Sequence, residues 1–207
     1  MPQEIEQIGV KSVVRSTIHA HISESVGVLD AMRNNSRLID VVGEVAAVCV
    51  STLRAGGKLL FMGNGGSAAD SQHLAGEMVS RFSFDRPGLP AFALTVDSSV
   101  ITAIANDYGY DRLFSRQVEA VGRSGDVLFG ISTSGRSPNV LAGLRVAREM
   151  ELVTVGMTGN SGGDITAIVD HLIEIPSSST PKIQEGHIIV GHIICGLIEE
   201  QLFADSA

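Results

Sequence analysis

The sequence predicts a three-layer αβα sandwich on a five-stranded parallel sheet, with an N-terminal helical extension. Three observations carry this. Beyond about residue 57, short β-type runs alternate with helical stretches, the pattern of parallel strands joined by crossover helices. Several of those runs, such as VLFGI and LVTVGM, are almost continuously apolar, as strands covered on both faces must be. Before that point the spacing is helical only. The chain has 207 residues, 44% of them hydrophobic, and shows no linker, internal repeat or low-complexity tract. One domain over 1–207 is expected, with N-terminal helices over 1–56 that contribute to an oligomer interface, and an α/β core with a last helix over 57–207.

Taken in order, Val10, Val13 and Val14, then Ile18, Ile22 and Val26, recur at helical spacing. They are followed by a second periodic stretch from Leu38 to Leu53 that includes Val41, Val42, Val45 and Val48. Two helices joined near Asn34–Arg37 fit, the second stopped by Gly56-Gly57. Candidate strands are Lys58–Met62, Ala91–Val96, Val127–Ile131, Leu152–Thr158 and His171–Ile175. Helical stretches lie near Ser67–Phe82, Ser98–Ala105, Arg112–Val121, Pro138–Met150 and Gly163–Ile168, and a last helix runs from about Lys182 to Phe203.

Composition excludes several functions. A formal net charge of −8, with 15 Lys plus Arg and only two tyrosines, argues against a nucleic-acid groove, which needs basic patches and stacking aromatics. Taken globally the charge also weighs against a phosphorylated ligand, although a local site of hydroxyls and backbone N–H groups needs no lysine. Cys49 and Cys195 each sit in an apolar stretch without C-x-x-C spacing, so reduced core thiols are expected rather than a disulfide or thiolate metal site. The N-terminus lacks a basic segment leading into an apolar run. The most apolar tracts, Val41–Val50 and Ile188–Ile198, are interrupted by Glu44 and His192 and fall short of about 20 residues. No signal peptide or membrane span is expected, and the cytoplasm is the expected compartment.

In a parallel sheet, ligands bind outside the carboxyl ends of the strands, so the following loops carry the functional signal. After the first strand stands Gly63-Asn64-Gly65-Gly66-Ser67, where glycines let the backbone approach a ligand and the helix N-terminus favours an anion. A dinucleotide site also fits loosely, but Asp85, at the right count for its acid, precedes the second strand. A tight turn without ligand fits as well. After the third strand stands Ser132-Thr133-Ser134-Gly135-Arg136-Ser137-Pro138, with Ser137 in an N-cap slot and Pro138 at the first helical position. Its hydroxyls crowd an open helix end that can bind phosphate through backbone N–H groups and the helix dipole. A serine-rich cap without ligand is the alternative.

His73 and Glu77 are four residues apart, hence about 40° apart on one helix face. That suits two ligands of one metal, an acid and base pair, or an ordinary surface pair. On the last helix, His187 lies about 60° behind Gln184 and His192 about 80° ahead, so spacing cannot choose between the two histidines.

GNGGSAADSQHLAGEMVSRF, LPAFALTVD, TAIANDYGYDRLFSRQVEAVGRSGDVLFGISTSGRSPNV and IQEGHIIVGHIICGLIE together resemble the sugar isomerase (SIS) domain family, and within it the phosphoheptose isomerases, in order from about residue 15 to 203. The resemblance implies a flavodoxin-like fold, a homotetramer with active sites between subunits, and conversion of sedoheptulose 7-phosphate to D-glycero-D-manno-heptose 7-phosphate, the first step towards nucleotide-activated heptoses of lipopolysaccharide. It implies a phosphate cup of Ser132, Thr133, Ser134 and Ser137, a sugar lined by Asn64, Gly65 and Gly66, further substrate contacts from Asn106 and Asp107, and Arg81 close by. The metal set it implies, usually zinc, falls on His73, Glu77, Gln184 and His192. His192 then becomes the functional histidine and His187 the structural one.

Aldose–ketose exchange through an enediol needs a base at carbon, an acid at oxygen and a stabilised oxyanion, roles expected of Glu77, His192 and a bound ion. The nearest non-enzymatic relative implied is a bacterial protein that binds the replication initiator DnaA. It lacks the acid at the Glu77 position and the histidine at the His192 position, and both are present here.

Overall fold

The computed structural model describes residues 2–203, with side chains from Val13 onward; the Val10 side chain, counted in the first apolar stripe, lies outside them. Two long helices open the chain, α1 (Pro2–Arg33) and α2 (Ser36–Arg54). The break between them is set by Asn35, whose side chain accepts from the Leu38 N–H and so starts α2 afresh. The rest follows as β1 (Leu59–Gly63), α3 (Gly66–Val79), β2 (Ala91–Ala93), α4 (Ser98–Tyr108), α5 (Leu113–Val121), β3 (Val127–Ile131), α6 (Pro138–Glu149), β4 (Val153–Gly159), β5 (His171–Ile175) and α7 (Thr180–Phe203).

All strand pairs are parallel, in the order β2-β1-β3-β4-β5. That is the doubly wound arrangement whose switch point falls between β1 and β3. Alternating side chains feed two cores. Leu59 and Phe61 of β1, with Phe129 and Ile131 of β3, pack under α2, α3 and α7, while Leu60, Met62 and Leu128 pack under α5 and α6. Phe61 and Phe129 stack at 4.8 Å in the first core.

The sheet and most helices lie where the sequence places them; α4 runs on to Tyr108 rather than ending near Ala105, and three further differences have local causes. The second strand is shorter than Ala91–Val96: Leu94 still donates to the Phe61 carbonyl, but the chain then leaves for Asp97, whose side chain caps α4. Gly163–Ile168 is a 3₁₀ turn over Gly163–Ala167 rather than an α-helix. Only residues 160–170 join β4 to β5, and both Gly162 and Gly163 take positive φ. Finally, α3 stops at Val79 rather than near Phe82, because the Arg86 guanidinium takes the Glu77 and Met78 carbonyls.

His187 is only 1% exposed; its Nε2 lies 3.1 Å from the Thr158 carbonyl, which fixes that nitrogen as the donor, and its Nδ1 has no partner among the described residues. Burial lowers its pKa from 6.5 to about 4, only partly offset by that hydrogen bond. Between those values the unfolded chain binds a proton that the folded chain does not. Stability is therefore predicted to fall as pH drops from about 6.5 towards 4, by about 3 kcal/mol at most from this group. Urea unfolding at fixed protein concentration should show that slope in the wild type and a shallower one in His187→Asn; equal slopes would refute the assignment.

Candidate active site

The switch point places the β1 and β3 loops side by side at the carboxyl edge of the sheet. Gly65, with φ of 57°, precedes α3 without any side-chain cap, leaving the helix end open. Across from it, Ser137 takes the N-cap position of α6 with Pro138 at the first helical position. Its hydroxyl does not cap the helix, however; it pairs with the Ser132 hydroxyl at 2.9 Å. Ser134 accepts from the Arg136 N–H through its own hydroxyl, and the Thr133 carbonyl accepts from the Gly159 N–H. The backbone of this loop is pressed against the turn after β4. Gly135 has φ of 64°, and a Cβ there would stand 1.9 Å from the Gly162 carbonyl oxygen, so no side chain fits.

Asn64 joins the two loops. Its amide exchanges hydrogen bonds with Asn139 at 2.9 Å in each direction, and its Oδ1 also accepts from the Tyr110 hydroxyl at 3.0 Å. Asn139 is buried, so this tie is shielded from water. Most of the Asn64 amide is thus committed to holding the β1 loop on α6. Asn106 and Asp107 are exposed at the end of α4, bonded to one another, and Tyr110 follows them into the Asn64 tie. Arg81 is exposed just beyond α3.

A second group forms where α3 runs alongside α7. His73 Nε2 is 2.8 Å from His192 Nε2 and 3.1 Å from Glu77 Oε1, and one donor atom from each residue lies within 4.8 Å of the others. This convergence is the test of whether a cation fits. Tetrahedral zinc with Zn–N near 2.0–2.1 Å separates neighbouring donors by roughly 3.3 Å, close to what these side chains already adopt. Two imidazoles and a carboxylate are also the donor chemistry of such an ion. Gln184 lies eight residues before His192 on α7, about 12 Å of helix rise, and its amide packs against Gly66 at the head of α3. The helical-wheel ambiguity between the two histidines is resolved in space: His192 faces His73, and His187 turns into the core.

Several residues at the site were not singled out from the sequence. Asp70, one turn before His73, has a buried Oδ2 without a partner among the described residues, and burial raises its pKa despite the nearby His73. Asn160, Ser161, Ser177 and Ser178, from the loops after β4 and β5, line a cleft of about 230 Å³ with Thr133, Ser134 and Arg136. The rule that sends ligands to strand ends flags those loops too, once β4 and β5 are placed. A larger polar cleft of about 530 Å³ opens among Arg37, Asp40, Glu44 and His171, at the amino end of β5 and away from both groups, and its size alone carries no functional argument.

A family model for the SIS domain matches residues 22–159. The chain is 58% identical over 182 residues to a phosphoheptose isomerase of Burkholderia pseudomallei, covering 88% of this chain and 92% of that one. It is 50% identical to a phosphoheptose isomerase of Aneurinibacillus thermoaerophilus, over 90% of this chain and 94% of that one. Among solved structures, phosphoheptose isomerase GmhA from Neisseria gonorrhoeae superposes with a TM-score of 0.85 at 41% identity, covering 90% of this chain and 99% of that one. The fold order, the converged side chains and these likenesses agree: the chain belongs to the SIS domain family and, within it, to the phosphoheptose isomerases.

Proposed function

We propose that this protein converts sedoheptulose 7-phosphate to D-glycero-D-manno-heptose 7-phosphate through an enediol, supplying the precursor of nucleotide-activated heptoses in the cytoplasm. The observation that carries the reading is the convergence of His73, Glu77 and His192; in this reading the hydroxyl-lined loop after β3, where Ser132 and Ser137 meet, serves as the anion cup. The close likeness to enzymes named phosphoheptose isomerase supports the substrate. Among the described residues no helix is long and apolar enough to cross a membrane. Nothing in the site or in those relatives supports a DnaA-binding regulator, whose expected losses at Glu77 and His192 are absent here.

The cup of Ser132, Thr133, Ser134 and Ser137 holds the phosphate through hydroxyls and the α6 N-terminus, with Asn64, Gly65, Gly66, Asn106, Asp107 and Arg81 along the sugar. Glu77 removes a proton from C1 of the ketose while His192 protonates O2, giving the enediol; loss of the O1 proton and return of a proton to C2 complete the aldose. His73, Glu77 and His192 would hold a zinc-type ion, which when bound would polarise the carbonyl; Gln184, the fourth ligand the resemblance implies, would have to reach it from its place against Gly66.

The proposed assembly is a homotetramer with sites between subunits. On α1, Val14, Ile18, Ile22 and Val26 form a stripe on one face, with Ile18 and Ile22 exposed at 54% and 57%. Beside it, Leu29, Met32, Ile39, Ile189 and Ile193 line an apolar groove of about 560 Å³.

Three outcomes test this. A coupled assay on sedoheptulose 7-phosphate should give turnover that Glu77→Gln and His192→Ala each lower by at least about 10²-fold with unchanged circular dichroism; near-normal rates in both would defeat the assignment. Chelation should lower turnover and added zinc restore it, whereas full activity in metal-free protein would remove the carbonyl-polarising role. Ile18→Glu with Ile22→Glu should shift the mass measured by light scattering from tetramer to smaller species, and an unchanged mass would place the interface elsewhere.

A further inference from the structure

Beyond the end of α3, the chain buries an arginine and a glutamate that the chemistry above does not use. The side chains of Arg86 and Glu199 are each 1% exposed, with Arg86 Nε 3.0 Å from Glu199 Oε1. Two of the remaining Arg86 bonds, to the Pro87 carbonyl at 3.0 Å and the Ser80 carbonyl at 3.4 Å, hold the loop itself, and the others of the pair point to the residues around the His73–Glu77–His192 group. The Arg86 guanidinium donates to the Met78 carbonyl at 2.6 Å and the Glu77 carbonyl at 2.9 Å, closing the last turn of α3 at Glu77 itself. The Glu199 carboxylate accepts from the Phe82 N–H at 2.9 Å and the Ser83 N–H at 2.6 Å. Held there, the Phe82 ring packs on the His192 imidazole, with centroids 5.6 Å apart, and lies beside Gly196 one turn further on. Burial by itself would raise the Glu199 carboxyl, but its two backbone donors and Arg86 hold it below the ordinary range, ionised and paired.

We propose that Arg86 and Glu199 form a positioning pair for the active site. Arg86 fixes the α3 terminus that carries Glu77, and Glu199 fixes Phe82 as the wall that orients His192. The proposal rests on the reading of Glu77 and His192 as the proton-transfer and metal-binding groups. It goes beyond that reading by giving a role to residues that touch neither substrate nor ion. Outer partners of this kind set the orientation of metal ligands, and their loss typically costs 10- to 100-fold in metal affinity or activity. A pair serving only to fasten the loop between α3 and β2 would alter stability and leave those quantities alone.

Removing Arg86 outright leaves a buried carboxylate without its cation and endangers folding. The discriminating variants are therefore Phe82→Leu, which keeps the pair and removes the ring, and Glu199→Gln, which keeps one acceptor oxygen and the side-chain shape. Arg86→Lys is the third, because a lysine cannot reproduce the guanidinium fork. The full-length protein is assayed for kcat and KM on sedoheptulose 7-phosphate, and zinc affinity is measured separately by competition with a chromophoric chelator. Phe82→Leu and Glu199→Gln are expected to lose about tenfold or more in kcat with KM within about twofold, and to bind zinc about 10- to 100-fold more weakly. Arg86→Lys should fall between them and wild type. Folded variants that keep both kcat and zinc affinity within about twofold of wild type would overturn the proposal. Absence of turnover in the wild type would instead refute the substrate assignment, and the zinc affinities would still decide the role of the pair.

Discussion

The arrangement of the site depends on one contact, the close packing of α3 along α7 on the same face of the sheet. A Cβ at Gly191 would stand 2.6 Å from Leu74, and one at Gly66 would stand 2.4 Å from the Gln184 amide, so both helices need small residues at the seam. Overpacking such a seam costs about 1–3 kcal/mol through shifted side chains and backbone. The functional cost is larger, because His73 is the residue before Leu74 and His192 the residue after Gly191. The same two positions that let the helices approach therefore bring two imidazole nitrogens to 2.8 Å. Because α3 and α7 run in the same direction, one contact orders three levels at once: Gln184 on the β1 loop, His192 on His73 and Glu77, and Glu199 on the chain beyond α3.

The anion end of the site obeys a different constraint. To serve as the proposed phosphate cup, its backbone would have to be exposed yet held rigidly enough to keep its N–H groups aimed. The β3 loop satisfies this by pressing Gly135 against the Gly162 carbonyl and accepting from the Ile165 N–H, so the short turn after β4 supports the loop from below. Asn64 and Asn139 then lock that loop to the glycines after β1. The 3₁₀ turn at Gly163–Ala167 is the structural consequence, since an α-helix in that connection would carry the Ile165 N–H away from Gly135.

Much of this was legible in the sequence, and the reasons differ by element. The strands were readable because parallel strands buried on both faces are forced to be apolar throughout, as VLFGI is. Ser137-Pro138 announced the start of α6, since both residues suit the first positions of a helix. What the serine does there was not legible: whether its hydroxyl caps the helix or meets Ser132 depends on the loop path, which local pattern does not encode. The choice between His187 and His192 was open on period alone; the family resemblance pointed to His192, and the direction of α3 supplies the physical reason. Arg86 was invisible for a related reason. In FSFDRPG it reads as an exposed charge in a turn, and only the return of α7, over a hundred residues later, places Glu199 against it.

The low charge and abundant aliphatic residues acquire a location as well. They do not simply enlarge the core, because α1 carries Ile18, Ile22 and Val26 into solvent while the two cores beside the sheet are already filled. A stripe of that length on one helix face marks a surface built to be covered. It is also mechanically joined to the site. Lys182, buried at the start of α7, donates to Ser25 of α1 at 2.7 Å and to Glu185 at 2.9 Å, and Ser25 donates in turn to Glu185. Gln184 sits between those two α7 residues, so the helix that presents the apolar stripe is tied to the turn that carries it. In the proposed assembly, covering the stripe would steady α1, and through Lys182 and Glu185 it would steady the end of α7 that meets the β1 loop. In the proposed function the negative balance of the whole chain plays little part: the phosphate would be met by hydroxyls and a helix end, and association by side chains without charge.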